Sequence, residues 1–329
     1  MKECLCQFLT IHSQSMPMAS HPDIVTVTLN PAIDETVFLD RLRQGEVNRA
    51  RCHHRQAGGK GVNISSMLAQ YGIATTATGF LGNQNTQLFE KLFSETGVCD
   101  AFIRIDGETR FGIKIISESI RETTDINFPG AAPTEADLLA LDEKLAGLVA
   151  PGRWFVLGGS LPTGVSLSYF ENLLRQLKDS GALVAVDTHG EALKSAIACG
   201  VDLIKPNRDE LAEILDLDSE DLSSLAIAAR ELQREKVSHV IVSLGKDGAF
   251  FAGPQGFHHA QSPPVQVVST VGAGDSTLAG YLAGLVTGRT AIECAALATV
   301  FAWSALEDVS RRLPDAAEIF TRMNHIHAG

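Results

Sequence analysis

Residues 268–276 read Val268-Ser269-Thr270-Val271-Gly272-Ala273-Gly274-Asp275-Ser276. The mostly β-branched run Val265–Val268 enters this stretch, and Leu278, Ala279, Tyr281, Leu282 and Leu285 leave it with helical character. The pattern predicts a strand, a tight glycine turn and a helix start, with Asp275 in the first helical turn. A helix start offers backbone N–H groups that lack intrahelical partners, and the helix dipole adds positive potential, so anionic oxygen is favoured there. Gly272 and Gly274 carry no side chains and let a phosphate come close to the backbone. Two readings of Asp275 stay open at this point. In one, it takes a proton from an attacking hydroxyl while the amides of Gly272, Ala273 and Gly274 hold a transferring phosphoryl group. In the other, it is an acidic residue at a helix N-terminus beside a turn.

Upstream of this stretch the chain repeats strand and helix. Trp154–Leu161, Leu183–Asp187, Asp202–Asn207 and His239–Gly245 read as strands; Leu167–Asp179, Glu191–Ala198 and Leu222–Glu235 read as helices between them. Strands separated by helices of this length imply parallel βαβ units with helices on both sheet faces, an α/β class. Ala249–Phe251 starts a hairpin. Towards the N-terminus, Ile24–Asn30 is a strand stopped by Pro31, with Asp34 just past its end, a place for a ligand contact or for a turn aspartate. Thr36–Arg55 reads as short strands of a small sheet outside the main core. Ala74–Leu81 reads as a strand and Thr86–Glu95 as a helix. Phe102–Ile105 and Phe111–Ile116 read as a hairpin around Asp106-Gly107, with Arg110 at the start of its second strand.

A second glycine-rich turn, Ala57-Gly58-Gly59-Lys60-Gly61-Val62-Asn63, opens a helix. It is not a Walker loop, because Lys60 is followed by Gly61 rather than Ser or Thr. Asn207-x-x-Glu210 stands at another helix start, where it is either a cap or a pair that reaches a phosphate and a hydrated Mg²⁺. Asp34, Gly58–Asn63, Ser160, Asn207, Ser243 and Gly272–Asp275 all follow strands or begin helices. In a parallel sheet such positions converge on one edge, where ligands bind.

The 329-residue chain has a net charge of −12, which argues against nucleic acid or an anionic membrane as its main partner. No apolar run reaches the ~18 residues of a membrane span. The six cysteines, Cys4, Cys6, Cys52, Cys99, Cys199 and Cys294, are scattered without a CxxC pair, which fits a reduced, cytoplasmic setting. His53-His54 and His258-His259 would each point to opposite faces of a strand and so do not suggest one metal site. Met1–Ser20 lacks the core and cleavage site of a signal peptide and reads as an N-terminal extension, either a mobile tail or an upstream start before Met16 or Met18.

Taken together, these stretches resemble the ribokinase-like carbohydrate kinases, the PfkB family. The resemblance is carried by Gly58-Gly-Lys-Gly-Val-Asn-Ile64 running on to Gly79-Phe-Leu-Gly82, by Ser269–Asp275, by Lys205-Pro-Asn-Arg-Asp-Glu210 and by Ser243-Leu-Gly245. It covers about Asp23 to the C-terminus and has no place for residues 1–20. It implies a Rossmann-like three-layer α/β/α domain over 21–329, with a small β-sheet lid formed by about 35–56 and 102–128. Such a lid is often the dimer contact, so a homodimer is implied.

Thr28-Leu-Asn-Pro-Ala-Ile-Asp34, Gly45–Arg49, Thr109-Arg110 and Thr124–Gly130 resemble members of the family that phosphorylate fructose 1-phosphate with ATP. Members acting on tagatose 6-phosphate or fructose 6-phosphate share most of these residues. Ser269 stands where many kinases of unphosphorylated sugars have aspartate. By resemblance, Asp275 is the catalytic base, and Gly272, Ala273 and Gly274 are the anion hole. Asp34, Gly58, Gly59, Asn63 and Ser160 contact the sugar, and Lys60 and Arg110 take the substrate phosphate. Asn207 and Glu210 serve Mg²⁺ and nucleotide, and Ser243, Gly245 and Gly248 belong to the ATP loop. A non-catalytic sugar-phosphate sensor is the rival from another class; the presence of Asp275, the glycine turn, Asn207 and Glu210 argues against it.

Overall fold

Ile24-Val-Thr-Val-Thr28 forms β1 (Ile24–Thr28), every residue of it buried. β-Branched residues fit a pleated surface covered on both sides, and β1 is an interior strand with neighbours along both edges. The computed structural model describes residues 24–329 except Arg121; the extension Met1–Ser20 lies outside the described residues.

From β1 the chain forms β2 (Ala32–Leu39), β3 (Cys52–Gly58), α1 (Lys60–Gln70), β4 (Thr75–Gly82) and α2 (Gln87–Thr96). Next come β5 (Cys99–Asp100), β6 (Ile103–Ile105), β7 (Arg110–Ser117), β8 (Glu122–Asn127) and α3 (Glu135–Leu148). The βα repeat follows as β9 (Trp154–Gly158), α4 (Leu167–Asp179), β10 (Leu183–Asp187), α5 (Gly190–Ala198), β11 (Leu203–Ile204), α6 (Arg208–Leu215), α7 (Leu222–Glu235) and β12 (His239–Ser243). β13 (Ala249–Gly253), β14 (Gly256–Gln261), α8 (Ala273–Val286), α9 (Ala291–Glu307), α10 (Ala316–Met323) and β15 (His327–Ala328) complete it.

The large sheet has the order β15-β14-β13-β12-β11-β10-β9-β1-β4-β5, with β6 also on β4. From β12 to β5 it is parallel; β13, β14 and β15 add antiparallel strands at one edge. Alternate residues of each strand enter different cores. Val25, Val27, Phe155, Leu157, Val184 and Val186 pack with α4, α5, α6 and α7. Ile24, Trp154, Val156, Ala185 and Ile241 pack with α1, α8, α9 and α10. The result is a three-layer α/β/α domain. Each large apolar side chain fully buried here contributes about 1.5–3 kcal/mol relative to exposure.

The second sheet, β3-β2-β7-β8, has four strands and comprises parts of 32–58 and 110–127. A small core of Ile33, Ala57, Val62, Leu81, Phe89 and Phe93 joins it to α1, α2 and β4.

Four local expectations are corrected. Phe102–Ile105 and Phe111–Ile116 are not a hairpin. β6 runs parallel to β4 at the large sheet's edge, whereas β7 pairs with β2 and β8 in the other sheet. Asp106-Gly107 is therefore a crossing point between sheets, and residues 102–105 do not belong to the small one. Val265–Val268 is not a strand. Pro263 and Pro264 supply no N–H for a ladder, and the amides of Val268 and Ser269 donate instead to Leu306 O in the last turn of α9. The predicted strand 202–207 shrinks to Leu203–Ile204, since Pro206 cannot donate, with one further bridge between Asn207 and Ser243. Asp34 does not follow a strand; β1 ends at Thr28, the chain bends at Leu29-Asn30 and re-enters extended structure at Ala32, which puts Asp34 inside β2.

Candidate active site

Strands β1, β4, β9, β10, β11 and β12 are parallel, so their C-terminal ends share one edge. In register there, Thr28 is beside Gly79, Asp187 beside Gly158, and Asn207 beside Ser243. The start of α1 is pressed onto this edge. A β-carbon on Gly61 would stand 2.4 Å from Thr28 Oγ1, and one on Gly158 would stand 2.8 Å from Lys60 Cβ. Real side chains do not fit these gaps, so glycine is what lets the helix start reach the strand ends.

The start of α8 comes to the same place. Gly272 is its N-cap, with φ 81° and no side chain to satisfy the first-turn amides. Helices α3, α6 and α9 close their own starts with capping boxes. The first turn of α8 therefore has amides to offer an outside acceptor.

Asp275, 8% exposed, lies in that turn. Asn63, from the first turn of α1, donates its Nδ2 to Asp275 Oδ2 at 2.5 Å. Burial pushes the Asp275 carboxyl above its ordinary pKa, and the negative Asp187 pushes it further; Lys60, Asn63 and Arg311 only partly oppose this. A carboxylate poised in this way is better able to accept a proton near neutral pH.

Asp187 ends β10 and is fully buried. Lys60 Nζ is 2.6 Å from its Oδ1 and Lys205 Nζ is 3.2 Å from its Oδ2. Burial alone would raise the Asp187 pKa, but the two lysines hold it below the usual carboxylate value. Burial works against the charge on Lys60, yet Asp187, Asp275 and Glu210 outweigh it and raise the Lys60 pKa. Lys205 Nζ would stand 3.2 Å from a β-carbon on Gly274, so a second ammonium borders the glycine turn.

The small sheet supplies the other wall. Asp34 is buried, with Lys114 Nζ at 3.7 Å from its Oδ1. A β-carbon on Gly58 would come 2.3 Å from Asp34 Oδ2, and one on Gly112 would come 3.1 Å from Oδ1. Arg110 donates Nε and Nη2 to Asn30 O at 3.4 Å and Nη1 to Asn127 Oδ1 at 3.3 Å; burial lowers its pKa. Asn30 Nδ2 donates to Ser160 Oγ at 3.0 Å. One cavity is lined by Asn30, Pro31, Gly82, Thr109, Arg110 and Gly130, and a neighbouring one includes Gly158, Gly159, Ser160 and Thr188.

Asn207 and Glu210 form a reciprocal capping box. Asn207 N donates to Glu210 Oε2, and Glu210 N donates to Asn207 Oδ1, both at 2.8 Å. The stretch 243–248 leaves β12 and forms a short 3-10 turn, Gly245–Asp247, with Gly245 and Gly248 at positive φ. A β-carbon on Gly248 would stand 2.2 Å from Ala260 O, and Arg208 Nη2 donates to Asp247 Oδ2 at 2.6 Å.

Contacts thus join Asn63 to Asp275 directly, and Lys60 to Asp275 and Glu210 through charge. Asp34, Gly58, Arg110 and Ser160 belong to the wall beside the small sheet; Ser243, Gly245 and Gly248 are on the far side, tied to Asn207 through the bridge. Sequence reasoning passed over Asp187, Lys114 and Arg311 and gave Lys205 no role of its own. Asp187 could have been found, because it ends a strand as Asn207's stretch does. Lys205 stood in the quoted Lys205–Glu210 motif. Lys114 and Arg311 carry no local signal.

A sequence profile described as pfkB family carbohydrate kinase matches residues 27–315. Over 292 residues the chain is 40% identical to a 1-phosphofructokinase of Rhodobacter capsulatus, covering 88% of this chain and 92% of that protein. It is 34% identical over 281 residues to a tagatose-6-phosphate kinase of Staphylococcus epidermidis, covering 84% and 90%. Among solved structures it is similar to phosphofructokinase-2 from Escherichia coli in complex with substrates and products, with a TM-score of 0.85, 27% identity and 92% and 98% of the two chains covered. The glycine turn with its buried aspartate thus sits in a fold and a sequence of one lineage, and the chain belongs to the pfkB family of carbohydrate kinases.

Proposed function

We propose that this chain is an ATP-dependent phosphosugar kinase that converts fructose 1-phosphate to fructose 1,6-bisphosphate. The observation that carries the kinase chemistry is Asp275: buried, hydrogen-bonded by Asn63, and set in a helix start whose cap has no side chain. The choice of sugar is supported by likeness to the Rhodobacter capsulatus 1-phosphofructokinase.

In this reading the sugar's C6 hydroxyl lies against Asp275, with Asp34 and Ser160 orienting the sugar. Asp275 accepts the hydroxyl proton as the oxygen attacks the γ-phosphorus of ATP in line. The new O–P bond forms as the bond to the ADP oxygen breaks, and the amides of Gly272, Ala273 and Gly274 stabilise charge on the phosphoryl oxygens. Lys60 and Arg110 attract the sugar's phosphate, Gly58 and Gly59 leave room for the sugar, and the loop 243–248 receives the nucleotide. Mg²⁺ fits Glu210, whose Oε1 is outside the capping box, because this ion is usually held by one or two carboxylates together with substrate phosphates. There it would neutralise phosphate charge, with Asn207 beside it.

The four-stranded sheet acts as a lid that closes over the sugar and keeps water from competing as nucleophile. Its exposed Ile126 and the neighbouring Phe128 suit contact with a second copy of the chain.

The test is ADP release from the purified chain with Mg-ATP and fructose 1-phosphate, fructose 6-phosphate or tagatose 6-phosphate. The expected result is the highest kcat/KM for fructose 1-phosphate. A preference for tagatose 6-phosphate, which the 34% identity to the Staphylococcus epidermidis enzyme makes the second reading, would keep the mechanism and change the substrate.

A further inference from the structure

Arg311 follows α9 in a stretch with no motif, yet three features set it apart. Its φ is 54°, in the left-handed region that residues other than glycine rarely occupy. It is 5% exposed, so its guanidinium is withdrawn from water. Its Nη1 has no hydrogen-bond partner among the described residues. A strained backbone, a buried charge and an orphan donor are each unfavourable, and they persist together where a ligand completes the set.

The guanidinium lies at the glycine turn. A β-carbon on Gly272 would be 2.7 Å from Arg311 Cδ and 3.1 Å from Nη1. Its backbone is held elsewhere: Gln70, at the far end of α1, donates Nε2 to Arg311 O at 3.5 Å and accepts from Leu313 N at 3.0 Å. About 10 Å of helix separates Gln70 from Asn63, and the arginine side chain bridges back towards the start of the helix. Burial lowers the Arg311 pKa, while Asp34 and Asp275 both favour its charged form, so it lies within the field of the two carboxylates assigned to the acceptor. The lysines near the turn, Lys60 and Lys205, each face Asp187.

We propose that Arg311 is a further catalytic residue, whose Nη1 donates to a non-bridging oxygen of the phosphoryl group held at the Gly272–Gly274 turn. This rests on the phosphoryl-transfer reading above. An arginine there adds a charge-assisted donor to the backbone amides, strongest when negative charge spreads over the transferring group.

Arg311→Gly is the informative variant, because glycine adopts this backbone conformation without strain. The fold is expected to be kept, with Tm unchanged or raised. With Mg-ATP and fructose 1-phosphate, kcat should fall by ~10²–10³, as for loss of an oxyanion donor, while either KM moves by less than about threefold. Arg311→Lys should regain little, since an ammonium lacks the guanidinium fork, and added guanidinium ion should partly restore Arg311→Gly. A kcat within about threefold of the parent, or a lowered Tm with unchanged kcat per folded molecule, would make Arg311 a packing residue and overturn the proposal.

A readout independent of turnover is calorimetric binding of aluminium fluoride in the presence of Mg-ADP. Binding should weaken by about tenfold or more in Arg311→Gly, with Mg-ADP alone unchanged. Equal binding of the anion in both chains, or none in the parent, overturns the proposal. If the parent chain turns over none of the phosphosugars, the kinase reading falls by itself, and the anion titration still decides Arg311.

Discussion

Asn63 Nδ2 and Asp275 Oδ2 are 2.5 Å apart, joining the first turns of two helices across 212 residues of sequence. The bond orients the carboxylate and favours its ionised form, against the burial that opposes it. Asn63→Ala should therefore raise the Asp275 pKa further. The expected outcome is an acid limb of the kcat/KM profile displaced to higher pH; an unmoved limb would separate Asn63 from the titration of Asp275.

Asp275→Asn should lower kcat by ~10²–10⁴ with KM nearly kept, if Asp275 is the base. Stability should move the other way. Because the folded-state pKa of Asp275 is raised, its contribution is fully present below the ordinary value of 3.8 and is lost as pH rises through the folded value. At neutral pH the ionised group is a cost that asparagine avoids. Thermal melts at pH 7 should show Tm unchanged or raised, and near-normal turnover would remove Asp275 from the base role.

Asp187→Asn should be strongly destabilising, because it leaves Lys60 and Lys205 facing one another without their shared counter-charge. Breaking a buried pair in this way costs about 3–5 kcal/mol. The pH dependence has the opposite sign to that of Asp275. The Asp187 pKa is depressed, so its stabilisation is present above 3.8 and disappears as pH falls through the lower folded value. Denaturant melts should show the gap between the two chains at pH 7 and its narrowing in acid.

Gly58→Ala places a methyl group 2.3 Å from Asp34 Oδ2, so the carboxylate must move. If Asp34 orients the sugar, kcat/KM for fructose 1-phosphate should fall by up to about 10², with the KM for ATP unchanged. Equal effects on both substrates would indicate a general loss of fold.

Much of the chain was legible because its signals are local. Helices 167–179 and 222–235 were bounded correctly by residue pattern, and Ser166 and Asp221 cap them with their side chains. The hairpin at 106–107 was misread because a turn dipeptide between two apolar runs looks the same whether the strands pair with each other or with different sheets. Val265–Val268 failed similarly: β-branched residues favour extended backbone, but a strand needs a neighbouring strand to pair with, and the amides of Val268 and Ser269 go to Leu306 O of α9 instead.

By itself, the sequence determined the α/β alternation, the two glycine turns and the residue type at each helix start. Those follow from side-chain period and from the backbone freedom of glycine, which act over a few residues. Only the tertiary structure decided that Asn63 meets Asp275, that Asp187 sits between two lysines, and that Arg311 lies against Gly272. These meetings depend on parallel register, which brings strand ends to one edge, and on close backbone approach at Gly61 and Gly158. Neither is encoded in any single stretch of the chain.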